Sequence, residues 1–139
     1  MAILKDPVYL FWLCFLLHLI ADYTMQGILA NLKQWSWWLE QFELMRHNNM
    51  VSADDWEKYR YDWMAGLICH SAMWSLMTFL PLMLLIDSAA FSIIIILNIW
   101  AHCEIDHLKA NKLKINLITD QTIHLLQIVL TVIAAQFMP

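Results

Sequence analysis

Three histidine–aspartate pairs stand out in a chain that is otherwise mostly apolar. His18 and Asp22, His102 and Asp106, and Asp120 and His124 are each four residues apart, a spacing that puts both members on one face of a helix. Neutral imidazole and carboxylate are ligands for zinc, iron and manganese. Paired ligands at helical spacing on facing helices are also how metal sites are built inside helical bundles. The stretch WAHCEIDHLK, residues 100–109, shows the device most clearly, closing an uncharged apolar run with His102, Asp106 and Lys109 along one stripe. His18, Asp22 and Gln26 form a second stripe, and Asp120, His124 and Gln127 a third. His70 lies in the second apolar segment with Gly66 one turn before it on the same face, where a glycine permits close helix approach.

The elements that must carry these pairs read as membrane helices. Hydrophobic residues make up 61% of the chain and charged ones 14%, against roughly 45–50% and 25% in ordinary globular proteins, and mean hydropathy is +0.56. Eight Trp and nine Met suit a bilayer protein, where indoles settle at the interface. Apolar segments at about 7–32, 63–86, 89–109 and 116–137 each approach the ~20 residues needed to span a bilayer. The expected fold is therefore all-α: a polytopic membrane protein with a four-transmembrane-helix bundle, one domain over 1–139. Pro7 suits a first helical position. The run from Val8 to Ala21 has the length of a signal-peptide core, but no small-residue cleavage site follows, so it is read as a span.

Residues 33–62 form the long polar connection. Its first part, Lys33 to His47, carries Trp35, Trp37, Trp38 and Phe42 and is expected as an amphipathic interfacial helix. Asn48 and Asn49 break it. Ser52 is an N-cap with the acidic Asp55 three residues on, close to a capping box, from which a helix is expected to run unbroken through Trp63 into the second span, with Pro81 kinking the far end. Asp87-Ser88 is so short a turn that the second and third helices must be antiparallel neighbours.

Basic residues set the orientation. Lys33, Arg46, Lys58 and Arg60 lie on one long connection and Lys109, Lys112 and Lys114 on the other, leaving Lys5 alone on the opposite side. That bias places both connections in the cytoplasm and both termini outside. All seven residues His18, Asp22, His70, His102, Asp106, Asp120 and His124 then fall at a similar depth in the cytoplasmic leaflet. A charged side chain there costs roughly 2.5–3.5 kcal/mol, so the group demands mutual compensation, which a divalent cation supplies. These seven are the expected metal ligands. They exceed the four of a tetrahedral ion, leaving room for one or two zinc ions, with iron or manganese as alternatives. Asp22 and Asp120 are also expected as general bases, and Lys109 as a catalytic or substrate-binding charge.

Other features are assigned elsewhere. Cys14, Cys69 and Cys103 are odd in number and sit in apolar runs, as fillers rather than ligands or a disulfide framework. A net charge of −4 without a dense basic patch excludes a nucleic-acid partner. His47 is expected to be solvated. His107 and Glu104 fall off the His102 stripe, and the Trp set reads as an interfacial belt.

The polar motifs, in order, resemble a family of small membrane proteins of bacteria and their phages whose domain carries an unknown-function label. The resemblance rests on H-L-I-A-D-Y-x-x-Q at His18 to Gln26, Lys33, the single histidine of the second span, H-x-x-I-D-x-x-K at His102 to Lys109, and D-Q-x-x-H at Asp120 to His124. It implies a bacterial cytoplasmic (inner) membrane, and adds Gln26, Lys33, Lys109 and Gln121 to the site as supporting or substrate-binding groups. The family pattern has a second polar residue one turn after the histidine of the second span; this chain has Trp74. More distantly, the pattern is similar to membrane-bound metal-dependent hydrolases. The expected function is a metal-dependent hydrolase acting on a lipid headgroup or phosphoester from the cytoplasmic leaflet. No H-E-x-x-H protease signature is present. The alternatives are a non-catalytic membrane module that binds a partner through a structural metal or polar network, and a metal-ion or proton carrier. The lipid bilayer is an expected partner, and a homo-oligomer stays open.

Overall fold

The computed structural model describes residues 6–138, so the orientation signal assigned to Lys5 lies outside the described residues. The architecture is all-α. Helix α1 (Pro7–Tyr23) starts at Asp6, whose carboxylate accepts from the amides of Val8 and Tyr9, with Pro7 in the first turn; this satisfies donors that a helix start leaves orphaned. The chain was expected to continue helically to residue 32. It stops instead at Tyr23. The Thr24 hydroxyl donates to the Ile20 carbonyl, Gly27 adopts a left-handed φ of +47°, and a short helix α2 (Leu29–Leu32) follows.

That break has a destination. A Cβ on Gly66 would sit 2.5 Å from the Leu32 carbonyl oxygen, so the end of α2 lies directly against α5 (Asp62–Thr78). The contact seats Lys33 beside His70, one turn on from Gly66. Gly66→Ala should push Leu32 away and destabilise the protein by about 1–3 kcal/mol, as overpacking does, measured as a lowered melting temperature in detergent. An unchanged melting temperature would mean that the two backbones are not in contact.

Helix α3 (Trp35–His47) forms as expected and buries Phe42 against the rings of Trp56 and Tyr59. The Ser52–Asp55 capping box is present, and Lys58 bonds Asp55 at 2.5 Å, holding its carboxyl well below the usual carboxylate range. The helix beyond it is not continuous. A 3-10 turn (Ala53–Asp55) leads into α4 (Trp56–Tyr59), and the chain bends at Arg60 and Tyr61 before α5. There the Arg60 guanidinium spans from Glu57 to the Tyr61 hydroxyl. The second apolar segment is likewise divided. Helix α5 ends at Thr78 and α6 (Leu80–Met83) follows, with Pro81 in its first turn, because proline cannot donate the backbone bond that would carry the helix through.

Helices α7 (Ala89–Ala110) and α8 (Leu117–Ala135) match the expected third and fourth segments closely. Among the described residues these two helices are long and apolar enough to cross a membrane, rather than the four expected. Helix α1, at 17 residues, is apolar but shorter, and α5 has the same length. At 1.5 Å per residue such helices measure about 25 Å, short of a hydrocarbon core of roughly 30 Å.

The four long helices close a ring in which α1 packs on α5 and α8, and α7 packs on the same two. One half of the interior is mainly apolar, built from residues such as Leu10, Phe79, Leu82, Phe91 and Val132, with Asn98 and Thr131 hydrogen-bonded to each other across α7 and α8. The other half holds buried His18, Lys33, His70, His102, Asp106, Asp120 and His124. Trp74 forms the floor between them, edge-on to Phe79 and stacked on His102 at a centroid distance of 4.1 Å. Outward faces carry Ile93, Ile96, Trp100, Ile118 and Leu130, all more than half exposed.

Candidate metal centre

Helical spacing stacks each pair inward, and the ring of helices brings the pairs together. From α7, Asp106 reaches the centre of the cluster with its two oxygens facing different partners. Its Oδ2 lies 3.0 Å from His70 Nε2 and 3.7 Å from His102 Nε2. Its Oδ1 lies 3.6 Å from His124 Nε2, and His124 Nε2 is 3.3 Å from Asp120 Oδ1. Two groups therefore share one carboxylate: His70, His102 and Asp106, and Asp106, Asp120 and His124. All five residues are buried. A tetrahedral ion with bonds of about 2.0–2.2 Å has ligand atoms roughly 3.3–3.6 Å apart, so both groups have the spacing and chemistry to hold a metal ion.

Not every predicted ligand belongs to these groups. His18 is buried against the cluster, but Nδ1 accepts from the Trp74 indole at 2.9 Å and Nε2 lies 3.1 Å from Gln121 Oε1. With both ring nitrogens engaged, it serves to position Gln121. Asp22 lies at the edge, 4.0 Å from His70 Nε2. It accepts from Gln26 at 2.5 Å and from Gln121 at 2.7 Å. Gln121 also donates to Asp120 Oδ2 at 3.1 Å, completing a bridge from α1 to α8.

Two lysines enter the cluster. Lys109 donates to Asp120 Oδ2 at 2.6 Å with its side chain 30% exposed, linking the cluster to the surface. Lys33 is buried, donating to Asp106 Oδ2 at 2.6 Å and lying 3.2 Å from His70 Nε2. Asn111, which caps α7, holds that lysine's backbone: its amide donates to the Lys33 carbonyl and its oxygen accepts from the Trp35 amide. Beyond Lys109, sequence reasoning read residues 110–114 only as a basic connection. Asn111 carried no signal, since its role depends on a chain segment 78 positions away.

Trp74 was also missed as a site residue. It stands where a second polar residue was expected after His70, and its indole N–H supplies the hydrogen bond there. His107 stacks on Trp63, and Glu104 and His47 are exposed. Four buried polar atoms in the cluster lack a hydrogen-bond partner: His70 Nδ1, His102 Nδ1, His124 Nε2 and Asp120 Oδ1. Buried polar atoms are rarely left so, and the last two face each other across the His124 group. Beside the cluster, a surface cleft between α1 and α8, walled by Phe15, Leu19, Leu117 and Leu125, reaches His18 and Gln121. Comparison with protein-family models, curated proteins and solved structures finds no match for the chain.

Proposed function

We propose that the protein is a membrane-embedded, metal-dependent hydrolase acting on a phosphoester or lipid headgroup from the cytoplasmic leaflet. The observation that carries this reading is the convergence of His124 Nε2 and Asp120 Oδ1, both fully buried and in no well-directed hydrogen bond, 3.3 Å apart beside Asp106 Oδ1. An ion held by these three atoms would keep a coordination position for water or substrate, as catalytic zinc sites do. Zinc suits imidazole and carboxylate donors; iron or manganese would also fit.

A bound divalent ion would lower the pKa of its water toward ~7 and polarise a phosphoryl oxygen. The chain's own groups supply the rest. Asp22 lies outside both ligand groups, oriented by Gln26 and Gln121, and serves as the general base. Lys109 reaches from the surface to the cluster and offers charge for an anionic substrate. The α1–α8 cleft gives a lipid side access, its apolar walls leading to the polar pair His18 and Gln121. The membrane setting is supported by the two long apolar helices and by the large apolar side chains on their outward faces. Helices α7 and α8 cross the bilayer in this reading, with α1 and the α5–α6 pair packed against them. The basic connections at 33–62 and 111–116 face the cytoplasm.

One observation favours a second reading. Lys33 and Lys109 already neutralise Asp106 and Asp120, as a purely structural polar network would. The carrier reading has less support, because among the described residues the far half of the core buries no carboxylate, histidine or lysine. The deciding experiment purifies the protein in detergent, measures bound metal, and assays release of water-soluble phosphate from micelles of phosphatidic acid or phosphatidylglycerol. Release should disappear with chelator, return with zinc, and fall to background in Asp120→Asn. Metal-loaded protein that releases nothing would overturn the hydrolase reading in favour of the structural one.

A further inference from the structure

The two ligand groups are not equivalent. A histidine that binds a metal nearly always donates its other ring N–H to an oxygen that fixes it. His124 meets this condition, with Nδ1 3.0 Å from Gln127 Oε1 while Nε2 stays free. Gln127 is itself placed by Asn98 on α7. Asp120 is prepared in the same way: Lys109 and Gln121 hold Oδ2, leaving Oδ1 unpartnered and aimed at His124.

The other group lacks this support. His70 and His102 both have a buried Nδ1 with no partner. A positive charge is already present there, since the Lys33 ammonium contacts Asp106 Oδ2 and His70 Nε2, two of that group's three ligand atoms. His102 meanwhile lies between the rings of Trp74 and His124, at centroid distances of 4.1 and 4.2 Å, as a packing element.

We propose that the chain binds one divalent cation, in the Asp106–Asp120–His124 group, and that Lys33 fills the His70–His102–Asp106 group as a built-in cation that excludes a second ion. This rests on the metal site of the proposed function. Charge balance points the same way. Three carboxylates, Asp22, Asp106 and Asp120, face two ammoniums, Lys33 and Lys109, which sum to one net negative charge once the histidines are in the neutral form that metal binding requires. One divalent ion turns that into a single positive charge, whereas two ions would leave about three, costly in low-dielectric surroundings.

The test strips the detergent-purified protein with chelator, reloads it with Zn²⁺ alone, and counts ions per chain by elemental analysis. Wild type and Lys33→Arg should each hold one ion, and Lys33→Met two. His124→Ala should lose the single ion, while His102→Ala should keep it with affinity within about threefold. This last contrast does not depend on Lys33→Met folding. Two ions in wild type, one in a folded Lys33→Met, or equal losses in His124→Ala and His102→Ala would each overturn the proposal. The two readings fail separately. A one-ion protein that releases no phosphate sinks the hydrolase but not this assignment, and a two-ion protein that releases phosphate does the reverse.

Discussion

Asp106→Ala should destabilise the protein by about 3–5 kcal/mol, the range seen when one partner of a buried ion pair is removed, and should abolish metal binding. Asp106 is the one residue common to both ligand groups, so its loss reduces each to two ligands. It also strands Lys33, which is buried with Asp106 as its one carboxylate partner among the described ion pairs. Melting the metal-free protein separates these effects, since any fall seen with chelator present belongs to the ion pair. Lys33→Met in the same background removes the stranded charge and should recover part of the loss, giving a coupling of roughly 0.5–3 kcal/mol between the two positions. If Asp106→Ala melts like wild type under chelator, the buried pair does not exist.

Trp74→Ala is expected to be comparably severe, at about 3–5 kcal/mol for removing a large buried aromatic. The indole is fully buried and touches three histidines, stacking on His102, meeting His18 edge-on at 5.5 Å and lying 5.2 Å from His124. It also separates the polar half of the interior from the apolar half. Trp74→Phe tests the hydrogen bond apart from the bulk. It retains most of the volume but leaves His18 Nδ1 without a donor, at about 1–3 kcal/mol for an unsatisfied buried group. Melting temperatures of the two variants should therefore fall in the order wild type, Trp74→Phe, Trp74→Ala. Equal stability of wild type and Trp74→Phe would show that His18 is oriented by something other than the indole.

Much of this site was legible from residue spacing alone. An interval of four is a property of one helix, independent of what the helix packs against, so the inward stripes at His102–Asp106 and Asp120–His124 could be read directly, as could the uninterrupted runs of α7 and α8. Gly66 also pointed correctly to a close helix approach. Its partner could not be named, because Leu32 was placed inside a continuous first helix. The helix breaks at residues 24–28 and at Arg60–Tyr61 were illegible for a related reason, whereas Pro81 marked the one at Phe79. Both illegible breaks join stretches that are helix-compatible on their own terms, and the break at 24–28 is favoured only once α2 has α5 to lie on.

The sequence by itself determined which residue types line the interior and which helix faces carry them, because hydrophobic period and i, i+4 geometry are local. Only the tertiary structure decided how those residues divide the work. Packing across the ring spends both nitrogens of His18 on Trp74 and Gln121, turns Asp106 into the carboxylate shared by two groups, and folds Lys33 back through the α2 reversal onto His70. Those outcomes depend on contacts between residues tens of positions apart. WAHCEIDHLK carries several ligand-type side chains, and the surrounding helices determined that His102 stacks between Trp74 and His124 while Asp106 faces both groups that could hold a metal ion.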